Sequence, residues 1–202
     1  MGKKFTQQPG GPQWKEISAI FKSSNLQIKP MQYEQQFRDA LVAETKRRLI
    51  EESVPRIKKC VAQLSEPEIW YRPNDNSNSI GNLILHLCGN VRQWIVSGLG
   101  KLPDHRHRQE EFDERGPVPV QKLLEDLDAL MVEVNAVLDR LTPEDLLKMH
   151  PVQVFEESGL SILVHVVEHF SYHTGQITYA VKAMKDLDTG YYSQLNLERP
   201  EL

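Results

Sequence analysis

Three histidines, His165, His169 and His173, recur at intervals of four in a stretch almost devoid of charge. From Leu160 to Val181 the only carboxylate is Glu168, and there is no lysine or arginine. So apolar a segment predicts a largely buried helix. At about 100° per residue the three rings form one stripe that drifts by only about 80°. Neighbours four apart can place two imidazole nitrogens on one ion, as in other helical metal sites. The outer pair, about 12 Å apart along the axis, cannot easily share one. The stripe therefore supplies two ligands and needs a third from elsewhere. Each buried ring also needs partners for two nitrogens, and a metal satisfies several at once.

His86 is the candidate for the third ligand. It lies in Asn82-Leu83-Ile84-Leu85-His86-Leu87-Cys88-Gly89-Asn90, and its stripe also holds Asn82, Asn90 and Gln93. A polar flank of this kind, facing a neighbouring helix, suits a metal and the groups that orient its ligands. The residues expected to support the ligands are His165, Asn82, Asn90 and Gln176. His105 and His107 lie in a charged loop and His150 precedes Pro151, so they rank lower. Trp70, Trp94 and Tyr172 read as core or pocket-lining aromatics. Glu168 could orient a ligand but reads first as a partly exposed helical glutamate. A bundle whose core histidines only hydrogen-bond is the bland alternative. No clear general base stands beside the ligands, so the catalytic residues are left unassigned.

The elements that must carry these residues follow from apolar spacing. Phe37, Leu41, Leu49, Ile50, Val54, Ile57, Val61 and Leu64 recur at three, four and seven, predicting a first helix from Tyr33 to near Ser65. Pro55 inside it should kink it or remove one backbone bond. The turn formers of Arg72 to Ser79 exclude helix interior, and the last serines can cap the second helix, Ile80 to Val96. A polar loop from Lys101 to Pro119 follows. The third helix runs from Val120 to Leu141, with Leu123, Leu127, Leu130, Val134 and Leu138 on its apolar face. Thr142 and Pro143 then start a short turn, and the fourth helix runs from Leu160 to Met184. No stretch between Tyr33 and Met184 alternates for long enough to predict a strand. The expected fold is all-α: an antiparallel four-helix bundle with a long loop between helices 2 and 3. Residues 1–30 read as an N-terminal arm, with a possible short helix from Trp14 to Phe21, residues 31–185 as the bundle, and 186–202 as a tail.

Composition narrows the function classes. The 202-residue chain is 40% apolar and carries a net charge of −4. Lys46, Arg47 and Arg48 stand beside Glu44, Glu51 and Glu52, which is a solvated helix face rather than a phosphate stripe, so no nucleic acid is expected. No apolar run approaches the ~20 residues needed to span a bilayer, and the arm has no apolar run of the secretory kind. A cytoplasmic protein without a membrane partner is the expectation. The two cysteines, Cys60 and Cys88, make no disulfide framework and are expected as free thiols, Cys88 in the core.

Helix four, with His165-x-x-x-His169-x-x-x-His173-x-Gly175-Gln176-Ile177, resembles the signature helix of the DinB-like superfamily. Asn78-Ser79-Ile80-Gly81-Asn82 leading to His86-Leu87 resembles that family's first ligand region. The nearest likeness is to an uncharacterised branch, a domain of unknown function, and it covers roughly Met31 to Lys185. The resemblance implies a four-helix bundle, often a homodimer, with a metal on His86, His169 and His173. It also implies a small-molecule substrate, because studied relatives are transferases that use a low-molecular-weight thiol, bacillithiol or mycothiol, and some are maleylpyruvate isomerases. Members commonly carry a basic residue where this chain has Thr174, a departure that bears on the charge of the site. Nickel, zinc and manganese are not separable from three imidazoles. Three neutral histidines leave an open position that could deprotonate a thiol for attack on an electrophile or activate a water for hydrolysis. A metal-binding stress protein without turnover is the other expectation.

Overall fold

The computed structural model describes residues 30–198 apart from Pro117. The expected arm over residues 1–30 and the helix from Trp14 to Phe21 therefore lie outside the described residues. The chain divides into two units, Met1–Glu34 and Gln35–Leu202, and every histidine lies in the second.

The first long rod, α1, covers residues 30–61 in three consecutive stretches: α-helical Pro30–Lys46, π-helical Arg47–Ser53 and α-helical Val54–Val61. Pro55 falls in the first turn of the last stretch. Its ring would press on the carbonyl four residues back in a regular α-helix. The backbone widens there instead, with the Val54 N–H bonded to the Leu49 carbonyl five residues back. The short α2 (Glu66–Ile69) opens on a capping box of Ser65 and Glu68.

The second rod, α3, joins α-helical Ile80–Val91 to π-helical Arg92–Leu99, reaching further than the predicted Val96. Ser79 caps it, as the sequence indicates: its hydroxyl accepts the Asn82 N–H, and the Asn82 side-chain oxygen accepts the Ser79 N–H at 3.1 Å. The loop that follows contains a helix the sequence did not predict, α4 (Arg108–Asp113). Then come α5 (Val120–Arg140), the short α6 (Pro143–Leu147) capped by Thr142, and α7 (Gly159–Lys185) capped by Ser158.

One sequence expectation is corrected. Two strands, β1 (Met149–Val152) and β2 (Phe155–Ser158), pair antiparallel around a two-residue turn, Val152 opposite Phe155 and Met149 opposite Ser158. Four residues are too few to display a period of two, and Pro151 disguises β1 further, although a proline is tolerated on an edge strand.

The four long rods form the expected bundle. α3 packs against both α5 and α7, and α1 packs against α7. The pairs Lys46–Asp139 and Lys58–Asp128 step in opposite directions along α1 and α5, so those helices are antiparallel. His86–His169 and Asn90–His165 show the same for α3 and α7. Leu49, Ile57, Leu87, Val91, Leu127, Val134, Phe170 and Ile177 fill the shared core and are completely buried. Each contributes on the order of 1.5–3 kcal/mol by leaving water. Among the described residues no helix is long and apolar enough to cross a membrane. Both cysteines are free, Cys60 buried and Cys88 half-buried rather than fully in the core.

Candidate metal centre

Antiparallel packing of α3 on α7 brings His86, His169 and His173 together. Their ligand-capable nitrogens all lie within 4.8 Å of one another. His169 Nε2 is 3.1 Å from His86 Nε2 and 3.2 Å from His173 Nε2. Two imidazole nitrogens bound at about 2.0–2.1 Å to one ion lie roughly 2.9–3.4 Å apart for bond angles between about 90° and tetrahedral. His169 has that spacing to both partners, and the third pair closes within 4.8 Å.

The donor set also fits. Glu111 Oε2 stands 2.8 Å from His86 Nδ1 and Arg106 Nη2 stands 3.2 Å from it; in the tautomer that donates Nδ1–H to the carboxylate, Nε2 is a bare lone pair. Gln176 Oε1 does the same for His173 Nδ1 at 2.7 Å. Two lone pairs thus face His169 Nε2, which carries one proton at most and can satisfy one of them. His169 Nδ1 is buried without a partner. With those tautomers a shared cation answers all three inward lone pairs, which a single proton on His169 does not.

Burial holds the His169 imidazole down to about 3, with repulsion from His173 and His86 adding to it. His173 is lowered too, chiefly by burial. At neutral pH both rings are neutral, so each can offer one lone pair to an ion. A base held below its ordinary value of 6.5 resists protonation only in the folded state, so its contribution to stability is complete above pH 6.5 and lost towards about 3. Metal-free protein is therefore expected to lose thermal stability from pH 6.5 downward, with a shallower loss in His169→Asn, measured as Tm against pH.

Glu111 and Arg106 escaped the sequence reading. Arg106 donates to both Glu111 oxygens, Nε to Oε1 at 2.7 Å and Nη2 to Oε2 at 2.9 Å, and Nη1 donates to Gln93 at 2.8 Å. Burial works against the Glu111 carboxylate, but Arg106 and His86 outweigh it and hold the carboxyl below its usual range. Both residues come from the loop between α3 and α5, and Asn82 fixes that loop by donating its amide to the carbonyls of Glu111 and Glu114, each at 2.9 Å. Asn82 thus acts on the site through Glu111 rather than on a histidine directly. A faint signal was available: acids and arginines concentrated in a loop after a histidine-bearing helix.

Gly89 makes room for this arrangement. A Cβ there would meet Glu111 Oε1 at 1.9 Å. Alanine for glycine inside a helix ordinarily stabilises by about 1 kcal/mol. Here Gly89→Ala is expected to displace the carboxylate from His86 and weaken metal binding roughly 10–100-fold, the range for losing a ligand's supporting partner. Glu111→Gln should do the same without the clash; metal titration calorimetry measures both.

The remaining candidates sit around the trio. His165 does not join it: its ring stacks on Trp94 at 3.8 Å and lies 5.5 Å from His169, and burial lowers its pKa. Asn90 Nδ2 is 3.5 Å from His165 Nε2, while its Oδ1 is buried without a partner. Tyr172 is exposed and meets His173 edge-on at 5.0 Å. Trp94 is buried, Trp70 packs half-buried, and Glu168 is exposed. Thr174 is buried and gives its hydroxyl to the Phe170 carbonyl at 2.8 Å. It points along its own helix, and the cation beside His86 is Arg106.

An antiparallel helical bundle with three histidines converging from two of its rods has the fold of the DinB-like proteins. A DinB-like protein of Bacillus subtilis, YjoA, superposes with a TM-score of 0.54 at 16% identity, covering 74% of this chain and 94% of that one. A conserved protein from Enterococcus faecalis gives a TM-score of 0.53 at 17% identity, covering 73% and 95%. Residues 37–199 match the family described as a protein of unknown function (DUF1572), and the chain belongs to that family. No curated protein matches it.

Proposed function

We propose that the chain binds one divalent transition metal through His86, His169 and His173 and is a metal-dependent transferase for a low-molecular-weight thiol. The observation that supports this most is the pair of inward Nε2 lone pairs whose tautomers Glu111 and Gln176 hold. Three imidazoles leave nickel, zinc and manganese unseparated, and zinc serves as the probe ion below. Such an ion, when bound, supplies a Lewis acid that favours the thiolate form of a thiol at neutral pH.

The chain's own residues do the rest. Glu111, clamped by Arg106, keeps His86 oriented, and Gln176 keeps His173 oriented. His86 and His169 line a cavity of about 530 Å³, large enough for a small electrophile beside the thiol. Gln176 also lines an apolar groove of about 750 Å³ with Tyr71, Leu83, Tyr172 and Tyr179. In this reading the thiolate sulfur bonds to the electrophilic carbon as that carbon's bond to halide or epoxide oxygen breaks, the halide leaving or the alkoxide taking a proton from water, and the protein works in the cytoplasm as a homodimer.

The test is conjugation of a halonitroarene or an epoxide with bacillithiol, mycothiol or glutathione, using protein of measured metal content. Turnover that requires metal and disappears in His86→Ala is expected. Stoichiometric metal with no turnover for any thiol would leave a metal-binding protein without catalysis, and hydrolysis without thiol would make it a hydrolase.

A further inference from the structure

The 530 Å³ cavity between α3, α7 and the β-hairpin holds features that ligating a metal does not explain. Its wall carries Arg108, Gln153, Val154 and Phe155 in addition to Trp94 and the histidines. Arg108 makes no hydrogen bond or ion pair among the described residues. Its guanidinium lies 4.8 Å over the Phe112 ring, and Phe112 lies 4.7 Å from the His86 ring. An exposed cation is thus seated on the aromatic ring that packs on His86, with no anion partner among the described residues. The other charges on this wall are Arg106, already neutralised by Glu111, and Glu157, whose Oε2 accepts the Ser161 hydroxyl at 2.6 Å.

The hairpin tip is built against local preference. Gln153 adopts φ 58°, the left-handed region that favours glycine. Val154 beside it is 88% exposed, and Phe155 is 49% exposed and 6.2 Å from Trp94. Apolar side chains and a strained polar one line a cavity that also exposes His86 and His169, where such strain commonly serves ligand contact.

We propose that this cavity is a substrate subsite for a small organic acid with an aromatic or branched apolar body. Arg108 pairs with the carboxylate, Trp94, Val154 and Phe155 cover the body, and Gln153 reaches the ligand from the hairpin tip. The inference deepens the function proposed above and rests on it for the chemistry, but not for the binding.

The experiment titrates zinc-loaded full-length protein with phenylacetate and with its neutral isostere phenylacetamide by calorimetry, measuring zinc content on the same samples. Phenylacetate is expected to bind at least about tenfold more tightly, the size of one charge-assisted pair. Arg108→Gln should erase that preference. Gln153→Gly should raise Tm by about 2 °C by removing the backbone strain and weaken phenylacetate binding. Equal binding of the two probes, or a preference that survives Arg108→Gln, overturns the subsite. A carboxylate preference that depends on Arg108 in protein that retains no zinc would sustain the subsite while removing the metal-dependent reading.

Discussion

Alanine at His169 is expected to abolish stoichiometric metal binding, with affinity falling by more than the roughly 100-fold that loss of a ligand's supporting partner costs. His169 is the residue to remove because its Nε2 lies within 3.2 Å of both partners. His86→Ala and His173→Ala should behave alike, since each deletes one of three donors. The contrast that gives the series its meaning is His165→Ala. That residue belongs to the same four-spaced stripe, yet its ring stacks on Trp94, so metal content should be unchanged. Elemental analysis after purification without an affinity-metal step, followed by dialysis, reads all four variants. Equal loss in His165→Ala would mean that the stripe, rather than the trio, governs binding.

Removing the metal is expected to lower thermal stability substantially. A ligand that binds only the native state, present at 100 times its dissociation constant, stabilises by about 2.7 kcal/mol. For a chain of this length that corresponds to a Tm shift of roughly 5–10 °C. The shift should vanish in His169→Ala, which has nothing to release on chelation. A scan with and without a chelator measures it, and an unchanged Tm in metal-replete wild type would count against binding at a site shared between two helices. Such a site links α3 to α7 in the native state alone, which is why its occupancy should register in unfolding.

Much of this was legible in the residues. Long apolar periods at three and four placed the four rods, and the serines before Ile80 placed the start of α3. The histidine pair four apart was visible as a ligand pair because helical spacing alone brings such side chains to one face. His86 was harder, since only the polar stripe around it hinted that its ring would face a neighbour.

Glu111 and Arg106 were not legible. A loop has no period to say which of its many charges turns inward, and a buried carboxylate clamped by an arginine looks in sequence like a solvated ion pair. The hairpin escaped because its strands are four residues long. The π-helical turns escaped because they follow from how the backbone accommodates Pro55 and the end of α3, not from a composition. Thr174 left the charge of the site open in sequence, and the structure places Arg106, from another element, 3.2 Å from His86 Nδ1.

The most direct measurement is an anomalous difference map from crystals grown with equimolar zinc and collected at the zinc edge. One strong peak is expected within bonding distance of Nε2 of His86, His169 and His173. A map with no peak between those three nitrogens, or with the ion held by other residues, would contradict the convergence on which the proposed function stands.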